Sequence, residues 1–524
     1  MPVKQEEAVK WVINEDFLTL YWEKEKAWGN NCEYVVMVNE NILSTTQRTY
    51  CTFSLKEEKE SQFPFLKLTE SECRVQIRVR EEEKILAELE TSFQTESMQT
   101  GKKLIKSRIM ITDNPYHAVG DGKTMNTERI QKAIDECPAG GQVYIPAGVF
   151  LTGALRLHSD MELYLEKGAV LQGTQEPKDY LPRIRSRFEG LEMFCYSSLL
   201  NLGELDRDGN YNCRNVVIRG EGTIAGGGKI LAEKIIAEET ETLKDYLAGL
   251  GEKIEEYEKK ETIPGRVRPR LINLSNCQNI VLEGLTLKNS ACWNVHMIYS
   301  DNIITHGCNF YSVGIWNGDG WNPDSSTNCA VFNCEFNTGD DAVSIKSGKN
   351  PEGNIINRPS RHICVFGCRC KIGNGITIGS EMSGGVEDVR IWDCDMETAH
   401  GGVEIKGTRK RGGYVRNVQV YDCVLSRVRI HSVAYNDDGI AAAAPPVFEN
   451  CSFERVHIIG ECPERDGKMH PCEPVILCGF EENGYEVKDI IFRNILFGKK
   501  NAGTQQKLLL KACKGVSFQD ICCL

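Results

Sequence analysis

The sequence predicts an all-β protein in which a long parallel β-helix follows a small β-sandwich. Three observations support this fold class. The chain has 524 residues, which is long for one ordinary compact domain. From about residue 216 one short strand pattern recurs at a loose interval. The intervals leave no room for a crossover helix, so each repeat is one β-rich coil of a solenoid.

The first 98 residues have a sequence pattern of their own, in which apolar and polar residues alternate. The alternation is clear in FLTLYWEKE, CEYVVMVNE, RVQIRVREEE and ILAELETSFQT. Strands separated by polar turns predict a β-sandwich over residues 1–98. Its opening FLTLYWE and its close AELETSF resemble a fibronectin type III module. Residues 99–108 are polar and basic, which predicts a linker.

The predicted β-helix occupies residues 109–524 and begins with a helix. A Gly-rich turn precedes an amphipathic helix around Thr127–Glu136. Its apolar stripe contains Ile130, Ala133, Ile134 and Cys137. We expect this helix to cap one end of the solenoid.

The repeat pattern reads apolar, x, apolar, x, x, Cys or apolar, x, apolar. It occurs in segments such as IVLEGLTLKN, IITHGCNFYS, AVFNCEFNTG, CVFGCRCKIG and VQVYDCVLSR. From Leu285 through the cysteines at 308, 334, 368, 394, 423 and 451, the steps are 23, 26, 34, 26, 29 and 28 residues. Most of the cysteines are therefore interpreted as small apolar residues stacked on successive coils.

A helical insertion interrupts the solenoid at residues 227–262, which are rich in Glu and Lys. The composition favours a solvated helical hairpin on a loop. The alternative is a wall over a cleft.

Charge and cysteine usage restrict the partners and the compartment. The net charge of −12 argues against nucleic acid and anionic membranes. The N-terminus lacks the basic stretch and following apolar run that would predict a signal peptide. No segment approaches the roughly 18 consecutive apolar residues of a membrane span. Most of the 23 cysteines are then expected to be reduced thiols, in a cytoplasmic protein. Cys462, His470, Cys472 and Cys478 fit no zinc spacing, and no metal is expected.

Carboxylates are concentrated between Asn317 and Gly348. Asp319 and Asp340 are 21 residues apart, close to one coil, and Asp341 follows directly. Strands of neighbouring coils lie about 4.8 Å apart, so these three residues, the aspartate trio, are expected on one face. Inverting glycoside hydrolysis uses such groups, one to protonate the leaving oxygen and others to activate water. Crowding raises the pKa of one member. Asp324, after Asn-Pro, is interpreted as a turn cap.

The same residues resemble those of glycoside hydrolase family 28, the polygalacturonase family. The Asn-Thr-Asp motif of that family looks like Asn317 to Asp319, and its Asp-Asp motif is Asp340–Asp341. The resemblance covers residue 109 to the C-terminus and includes GVFLTGALRLHSDMELYLEKGAVLQGT and GSEMSGGVEDVRI. It implies a right-handed parallel β-helix, with Asp340 as the general acid and Asp319 and Asp341 holding the water. The Asn-Gly-Asp-Gly form and the N-terminal sandwich are more similar to exo-acting bacterial members.

Two positions depart from the family pattern. Its Gly-His-Gly motif reads Gly-Asn374-Gly here, and Asn can donate a hydrogen bond but carries no charge. Its Arg-Ile-Lys motif, which binds a galacturonate carboxylate, reads Glu404-Ile-Lys406. Glu404 should repel galacturonate unless Lys406 or another base neutralises it. Arg409, followed by two more basic residues, either compensates or forms a solvated basic turn.

Two further residues are candidates for the cleft. His296 in CWNVHM lies where the family often has Trp-x-x-His, although a lone His is also typical of a structural role. Tyr435 in SVAYND is a weaker candidate.

These observations predict an inverting, exo-acting glycoside hydrolase that releases terminal galacturonate from pectin-derived oligosaccharides in the cytoplasm. No cofactor is expected, because side chains supply both acid and base. Two alternatives stay open. Glu404 and Asn374 also suit an enzyme for a neutral terminal sugar, rhamnose or xylose, and the fold also suits a non-catalytic carbohydrate-binding solenoid. The oligomeric state stays open as well.

Overall fold

The structure of the chain, a computed structural model, describes residues 3–6, 8–57, 62–67, 72–94, 105, 107–464, 466–499 and 507–524. The chain divides into two compact units, Met1–Arg108 and Ile109–Leu524. Most of the predicted linker, residues 99–108, lies outside the described residues. None of the described helices has the length and apolar character needed to cross a membrane.

The N-terminal unit contains two small sheets that share one hydrophobic core. One sheet has the strand order Val3–Glu6, Lys84–Gln94, Glu72–Glu81, Glu33–Val38 and Asn41–Thr46. The other has the order Val9–Ile13, Phe17–Trp22 and Tyr50–Ser54. Leu20 and Trp22 from the second sheet join Tyr34 and Ile77 from the first in the core. The fibronectin type III resemblance of this unit stays a prediction.

The second unit is a parallel β-helix, as predicted. Most coils contribute one strand to each of three parallel ladders. Apolar side chains point inward from all three and form one continuous core. The strands of the first ladder are Gly141–Ile145, Met161–Leu165, Cys213–Gly220, Cys277–Glu283, Asp301–His306, Thr327–Phe332, Ser360–Phe366, Val386–Trp392, Tyr414–Tyr421, Val447–Glu454, Val487–Phe497 and Ser517–Cys523. Those of the second are Asp121–Met125, Gly148–Thr152, Ala169–Gly173, Thr223–Ala225, Thr286–Lys288, Asn309–Tyr311, Glu335–Asn337, Arg369–Ile372, Asp395–Met396, Val424–Leu425 and His457–Ile458.

The third ladder is an eleven-stranded sheet, called the site sheet below. Its strands are Leu155–Leu157, Leu200–Leu202, Ile272–Ser275, Val295–Ile298, Trp321–Asp324, Val343–Ile345, Ile376–Ile378, Val403–Gly407, Val428–Ser432, Val475–Cys478 and Leu509–Lys511. Short strands Arg108–Met110 and Cys513–Lys514 pair at the margins of the first ladder. Two hairpins stand outside the ladders, Ile184–Phe188 with Leu191–Cys195 and Glu461–Pro463 with Met469–Pro471.

The predicted first helix is present at Thr127–Asp135, and its buried residues Ile130, Ala133 and Ile134 pack into the solenoid core. The predicted insertion also folds into helices, Gly228–Thr242 and Lys244–Gly249, followed by a 3-10 turn at Gly251–Glu256. Short helices occur at Thr262–Gly265 and Glu352–Ile356, and a 3-10 turn at Pro177–Tyr180. Leu231 and Ile235 of the insertion belong to the solenoid core, so the hairpin is not simply solvated.

The predicted cysteine column is present for five coils and then departs from the prediction. Cys308, Cys334, Cys368, Cys394 and Cys423 are buried at equivalent positions of successive coils. Val424 pairs with His457, so Cys423 is followed by Val456, 33 residues on. The predicted step of 28 to Cys451 was wrong, because Cys451 pairs with Val418 in the first ladder. That coil contains a longer turn, so the position equivalent to Cys423 lies further along the sequence than Cys451.

Candidate active site

The aspartate trio lies at one edge of the site sheet, where its strands begin. Asp319 and Asp341 each precede a strand by two residues, and Trp321 pairs with Val343. The ladder thus places Asp319 level with Asp341, with Asp340 directly beside them. One carboxylate oxygen of each member of the trio lies within 4.8 Å of the others. The predicted convergence of the three side chains is what the structure shows.

The three aspartates of the trio differ in how much of each side chain is exposed to solvent. Asp319 is 2% exposed and Asp341 is 4% exposed, whereas Asp340 is only partly buried. Asn374, at the equivalent position of the next coil, donates from Nδ2 to Asp340 Oδ1 at 2.8 Å and to Asp341 Oδ1 at 3.1 Å. Thr377 Oγ1 donates to Asp341 Oδ1 at 2.7 Å. Asp341 thus accepts two of these bonds and Asp340 one, and Asp340 remains the most exposed member of the trio.

Two lysines compensate part of the negative charge. Lys346 Nζ lies 3.5 Å from Asp319 Oδ2 and 3.2 Å from Glu381 Oε2. Lys406 acts on Asp340 and Asp341 through its charge. Burial, and then the charge of Asp341, raises the pKa of Asp340 to about 7. Burial also raises the pKa of Asp319, with Lys346 opposing it. The trio therefore retains a proton near neutral pH, and Asp340 is the member that can deliver it because it is the least buried of the three.

This arrangement suits acid–base chemistry at one point. A protonated Asp340 can donate to a leaving oxygen while two carboxylates beside it hold water. Three carboxylates are also the donor set of a hard divalent cation, and the trio is the one such group of potential metal ligands within the described ranges. In this site the ammonium of Lys346 already provides positive charge next to Asp319.

The second departure from the family pattern, Glu404, is surrounded by bases. Its carboxylate lies 3.6 Å from Lys406 Nζ, 3.1 Å from Arg429 Nη2 and 2.6 Å from His431 Nε2. We call these four residues the basic cluster. Burial would raise the pKa of Glu404, but Lys406, the hydrogen bond from His431 and Arg429 hold it well below its usual value. One carboxylate between two permanent cations leaves the cluster positive.

Arg429 and His431 come from the coil after Glu404, and the sequence prediction missed them. The ladder pairs Glu404 with Arg429 and Lys406 with His431. Aligning the segment VEIKG with VRIHS, 25 residues later, would have found both. The predicted repulsion of galacturonate by Glu404 is therefore offset by its neighbours.

The remaining predicted site residues have different surroundings. Asn317 Oδ1 accepts a hydrogen bond from Arg268 Nη2 at 2.6 Å, which anchors the turn that carries Asp319. Tyr435 is partly exposed, with its ring centroid 5.9 Å from Lys406 Nζ. Arg409 pairs with Glu482 at 2.7 Å on the surface, rather than with the trio or the basic cluster.

His296 and Asp324 are structural. His296 is 0% exposed, so it does not line the cleft, and its Nε2 lies 3.2 Å from Asp324 Oδ2. Burial lowers the pKa of His296 to about 4. Asp324 is not a turn cap: it ends a strand, and its Oδ1 accepts from Arg187 Nη1 at 2.7 Å.

A packed layer covers His296 and Asp324. We call it the arginine–aromatic wall: Arg187, Phe188, Arg268, Arg270 and Trp293. Phe188 stacks on Trp293 with ring centroids 4.6 Å apart. The guanidinium of Arg270 lies 4.9 Å from the Phe188 centroid and 5.4 Å from that of Trp293. The wall fills the outer face of the site sheet on the side of the coils that precede the trio.

The helical insertion ends at the cleft. The backbone N–H of Glu258 donates to Asn436 Oδ1 at 3.0 Å. Lys259 Nζ lies 3.5 Å from the centroid of the Trp316 ring, and its charge acts on Asp340. This part of the insertion therefore matches the alternative interpretation, a wall beside a cleft.

Comparisons with known proteins match this region. The family model for glycosyl hydrolases family 28 matches residues 209–439, which include the trio and the basic cluster. The chain is 31% identical over 321 residues to the exo-poly-alpha-D-galacturonosidase of Dickeya chrysanthemi, covering 58% of this chain and 53% of that protein. It is 30% identical over 320 residues to the endo-polygalacturonase of Pectobacterium carotovorum subsp. carotovorum, covering 58% of this chain and 69% of that protein.

A solved structure is similar over most of the chain. The hyperthermoactive exopolygalacturonase from Thermotoga maritima superposes with a TM-score of 0.64 and 28% identity, covering 80% of this chain and 91% of that one. The chain spans just over half the length of the first curated relatives it matches.

Proposed function

This chain belongs to glycosyl hydrolases family 28, and on that premise we propose that it is an exo-acting glycoside hydrolase that releases terminal galacturonate from pectin-derived oligosaccharides. The observation that carries the proposal is the aspartate trio with the basic cluster on the following coils.

Asp340 is the general acid. Its pKa of about 7 leaves a large fraction of it protonated near neutral pH and most of it protonated below, and its accessible position lets it donate to the glycosidic oxygen. Asp319 and Asp341 hold the water that attacks the anomeric carbon, and one of them accepts its proton. Asn374 bridges Asp340 and Asp341 and so keeps acid and base in register.

Lys406 and Arg429 bind the carboxylate of galacturonate. A guanidinium recognises a carboxylate through two parallel hydrogen bonds, which an ammonium cannot do alone. Glu404 already accepts from His431 and faces both cations, so it is poorly available to the hydroxyls of a neutral sugar. This arrangement favours galacturonate over rhamnose or xylose.

The position of the arginine–aromatic wall supports the proposal of exo action. It occupies the outer face of the site sheet before Asp319, so an oligosaccharide enters from the later coils only. The relatives from Dickeya chrysanthemi and Thermotoga maritima are exo-acting by name, which agrees with this proposal.

Inversion at the anomeric carbon is also part of the proposal. Separations of about 6.5–9.5 Å between carboxyl groups are typical of inverting enzymes and about 5–5.5 Å of retaining ones. The short oxygen separations of the trio favour retention by that criterion alone. We favour inversion because two carboxylates flank one point beside the acid, which suits a held water. Proton NMR of the first product decides: the β-anomer from an α-linked substrate supports inversion, and the α-anomer refutes it.

The compartment is proposed from the thiols. The chain has 23 cysteines and the structure buries 17 of them, which suits a reducing cytoplasm and imported oligosaccharides as substrates.

Digestion of trigalacturonate labelled at its reducing end tests the function. The pure protein should release unlabelled galacturonate first, together with labelled digalacturonate. The Asp340→Asn variant is the control and should release neither. Labelled monomer as the first product would refute attack from the non-reducing end. Absence of cleavage would refute the galacturonate assignment and direct the assay to rhamnose- and xylose-terminated glycosides.

A further inference from the structure

Lys346 is a buried lysine that lies between two carboxylates. It directly follows the site-sheet strand Val343–Ile345 and is 4% exposed. Its Nζ lies 3.5 Å from Asp319 Oδ2 and 3.2 Å from Glu381 Oε2. The same ammonium lies 4.8 Å from the centroid of the Trp293 ring. Because these protein groups enclose it, Lys346 acts on the reaction through Asp319 rather than by touching the substrate.

The backbone of Lys346 is fixed at the end of its strand. Its N–H donates to Pro323 O at 2.8 Å. Its carbonyl oxygen accepts from Ser325 N at 2.9 Å and from Ser360 Oγ at 2.6 Å. The side chain therefore starts from a fixed point, which sets where its ammonium meets Asp319.

Glu381 supplies Lys346 with a lasting counter-charge. It is 6% exposed. Burial opposes its ionisation, but Lys346, Arg411 and Lys349 lower the pKa of Glu381 to about 2. Glu381 is thus an anion at neutral pH and well below it, and it balances Lys346 on its own. The second contact of Lys346, with Asp319, is not needed to neutralise the lysine, so its effect falls on the aspartate.

The two carboxylate oxygens of Asp319 have different surroundings. Oδ2 faces Lys346. Oδ1 is buried and accepts no hydrogen bond from any described residue. Asp341 Oδ1, in contrast, already accepts from Asn374 and Thr377. A buried carboxylate oxygen without a donor is costly, so Asp319 Oδ1 has unused capacity for an O–H of water.

The charges that face Asp319 act in opposite directions. Burial favours its protonated form, as do three neighbouring carboxylates, those of Asp340, Asp341 and Glu381. Lys346 favours the anion, and Arg268 of the arginine–aromatic wall is a second cation within electrostatic reach. Loss of Lys346 should therefore leave Asp319 protonated, and a protonated carboxyl cannot accept a proton from water.

We propose that Lys346 and Glu381 are positioning residues for the base: they hold Asp319 so that its Oδ1 binds the attacking water and accepts its proton. The inference rests on the proposed function and deepens it, because it selects Asp319 over Asp341. As the water oxygen bonds to the anomeric carbon, one water proton passes to Asp319 Oδ1. The bond from that carbon to the leaving oxygen breaks, and the leaving oxygen takes the proton of Asp340. Exchange with solvent then removes one proton from Asp319 and returns one to Asp340.

The pH dependence of trigalacturonate hydrolysis tests the inference. In the unmodified protein, kcat/KM should rise with pH as the base loses its proton and fall above about 7 as the acid loses its own. Lys346→Gln should move the midpoint of the rising limb up by about one pH unit, a shift typical of losing an adjacent opposite charge. Glu381→Gln removes an anion that acts on Asp319 and should move the same midpoint down. Residues that only maintained the fold would not produce opposite shifts.

Three further variants complete the design. Lys346→Arg keeps the charge and should leave the rising limb where it is in the unmodified protein. Thr377→Val removes a donor from Asp341 and should move the limb less than Lys346→Gln does. If thermal denaturation shows that Lys346→Gln does not fold, the double variant with Glu381→Gln removes both charges of the pair. Its rising limb should still move up, because Lys346 acts on Asp319 more strongly than Glu381 does.

Three results would each overturn the inference. One is an unshifted rising limb in Lys346→Gln, or in the double variant that replaces it. Another is a shift of the same sign in Lys346→Gln and Glu381→Gln. The third is a larger shift in Thr377→Val, which would make Asp341 the base. Failure of the proposed function is recognised separately, because the unmodified protein would then release no galacturonate at any pH.

Discussion

The outer face of the site sheet has two halves that use arginine in opposite ways. In the half before the trio, Arg187 pairs with Asp324, and Arg270 packs against the stacked rings of Phe188 and Trp293. In the half after it, Arg429 and Lys406 share Glu404, and Arg427 has no carboxylate in contact within the described residues. The same ladder register runs through both halves.

The difference shows that the surroundings of a guanidinium, rather than its identity, separate a structural role from a binding role. A buried arginine matched by an acid or by ring faces has completed its interactions within the protein. Two cations that share one carboxylate, as Lys406 and Arg429 share Glu404, have capacity left for a ligand anion. The trio lies at the boundary between these two halves.

The largest expected effect is the loss of kcat in a variant of Asp340, at the boundary between the two halves, where activity should fall without a loss of stability. Asp340→Asn removes the transferable proton and should lower kcat about 10³-fold, within the range for general acid catalysis. The thermal midpoint should stay the same or rise, because one crowded carboxylate has become neutral. Steady-state kinetics and thermal denaturation of the same sample check both. An active Asp340→Asn variant would remove Asp340 from the chemistry.

Asp324→Asn should show the opposite pattern in the first half. It leaves Arg187 buried without its carboxylate, which costs about 3–5 kcal/mol of unfolding free energy. Denaturant unfolding measures the loss. Activity per folded molecule should change little, since neither Asp324 nor His296 reaches the cleft. A stable but inactive variant would contradict the division into halves.

In the second half, Arg429→Gln should lower kcat/KM for galacturonate oligosaccharides about 10- to 100-fold, the value of a charged hydrogen bond. Glu404→Gln should lower kcat/KM by a smaller factor, because Glu404 positions the cations but does not contact the substrate. The reverse order would mean that Glu404 accepts hydroxyls of a neutral sugar. Arg409→Gln, which removes a surface arginine paired with Glu482, is the matched control and should not change kcat/KM.

The smallest expected effect is a shift in pH dependence. With Asp340 as the acid, kcat/KM should decline as pH rises through about 7, because the proton to be donated is lost above the pKa. Lys406 lowers the pKa of Asp340, so Lys406→Gln should raise it and move the decline to higher pH, whatever the change in amplitude. A decline that moves to lower pH would contradict the assignment of the proton.

Much of this architecture is readable from local repeats. The strand pattern predicts the coils, and near-coil spacing predicts that Asp319, Asp340 and Asp341 converge. The same principle would have placed Arg429 beside Glu404 if VEIKG and VRIHS had been aligned. Repeats fail where a turn lengthens, as between Cys423 and Val456.

Contacts between distant segments were not predictable from these patterns. Arg187 reaches Asp324 across 137 residues, and nothing in either segment indicates the other. The wall therefore appeared only in the structure, and with it the structural role of His296. The position of Lys259 was not predictable either, because a helical pattern in the sequence does not indicate which residues the end of an insertion contacts.

The cysteine column is inert packing only while the coils remain wound. Burial raises the pKa of the Cys334 and Cys394 thiols, and a protonated, enclosed thiol resists oxidants. Once the solenoid unravels, the five thiols of the column become accessible together with the other cysteines of the chain, 23 in all, and these thiols can cross-link in many wrong combinations. Recovery from heat should thus depend on the redox state of the solvent: a melted sample cooled with reductant can rewind, whereas one cooled in air becomes locked in scrambled, aggregated forms.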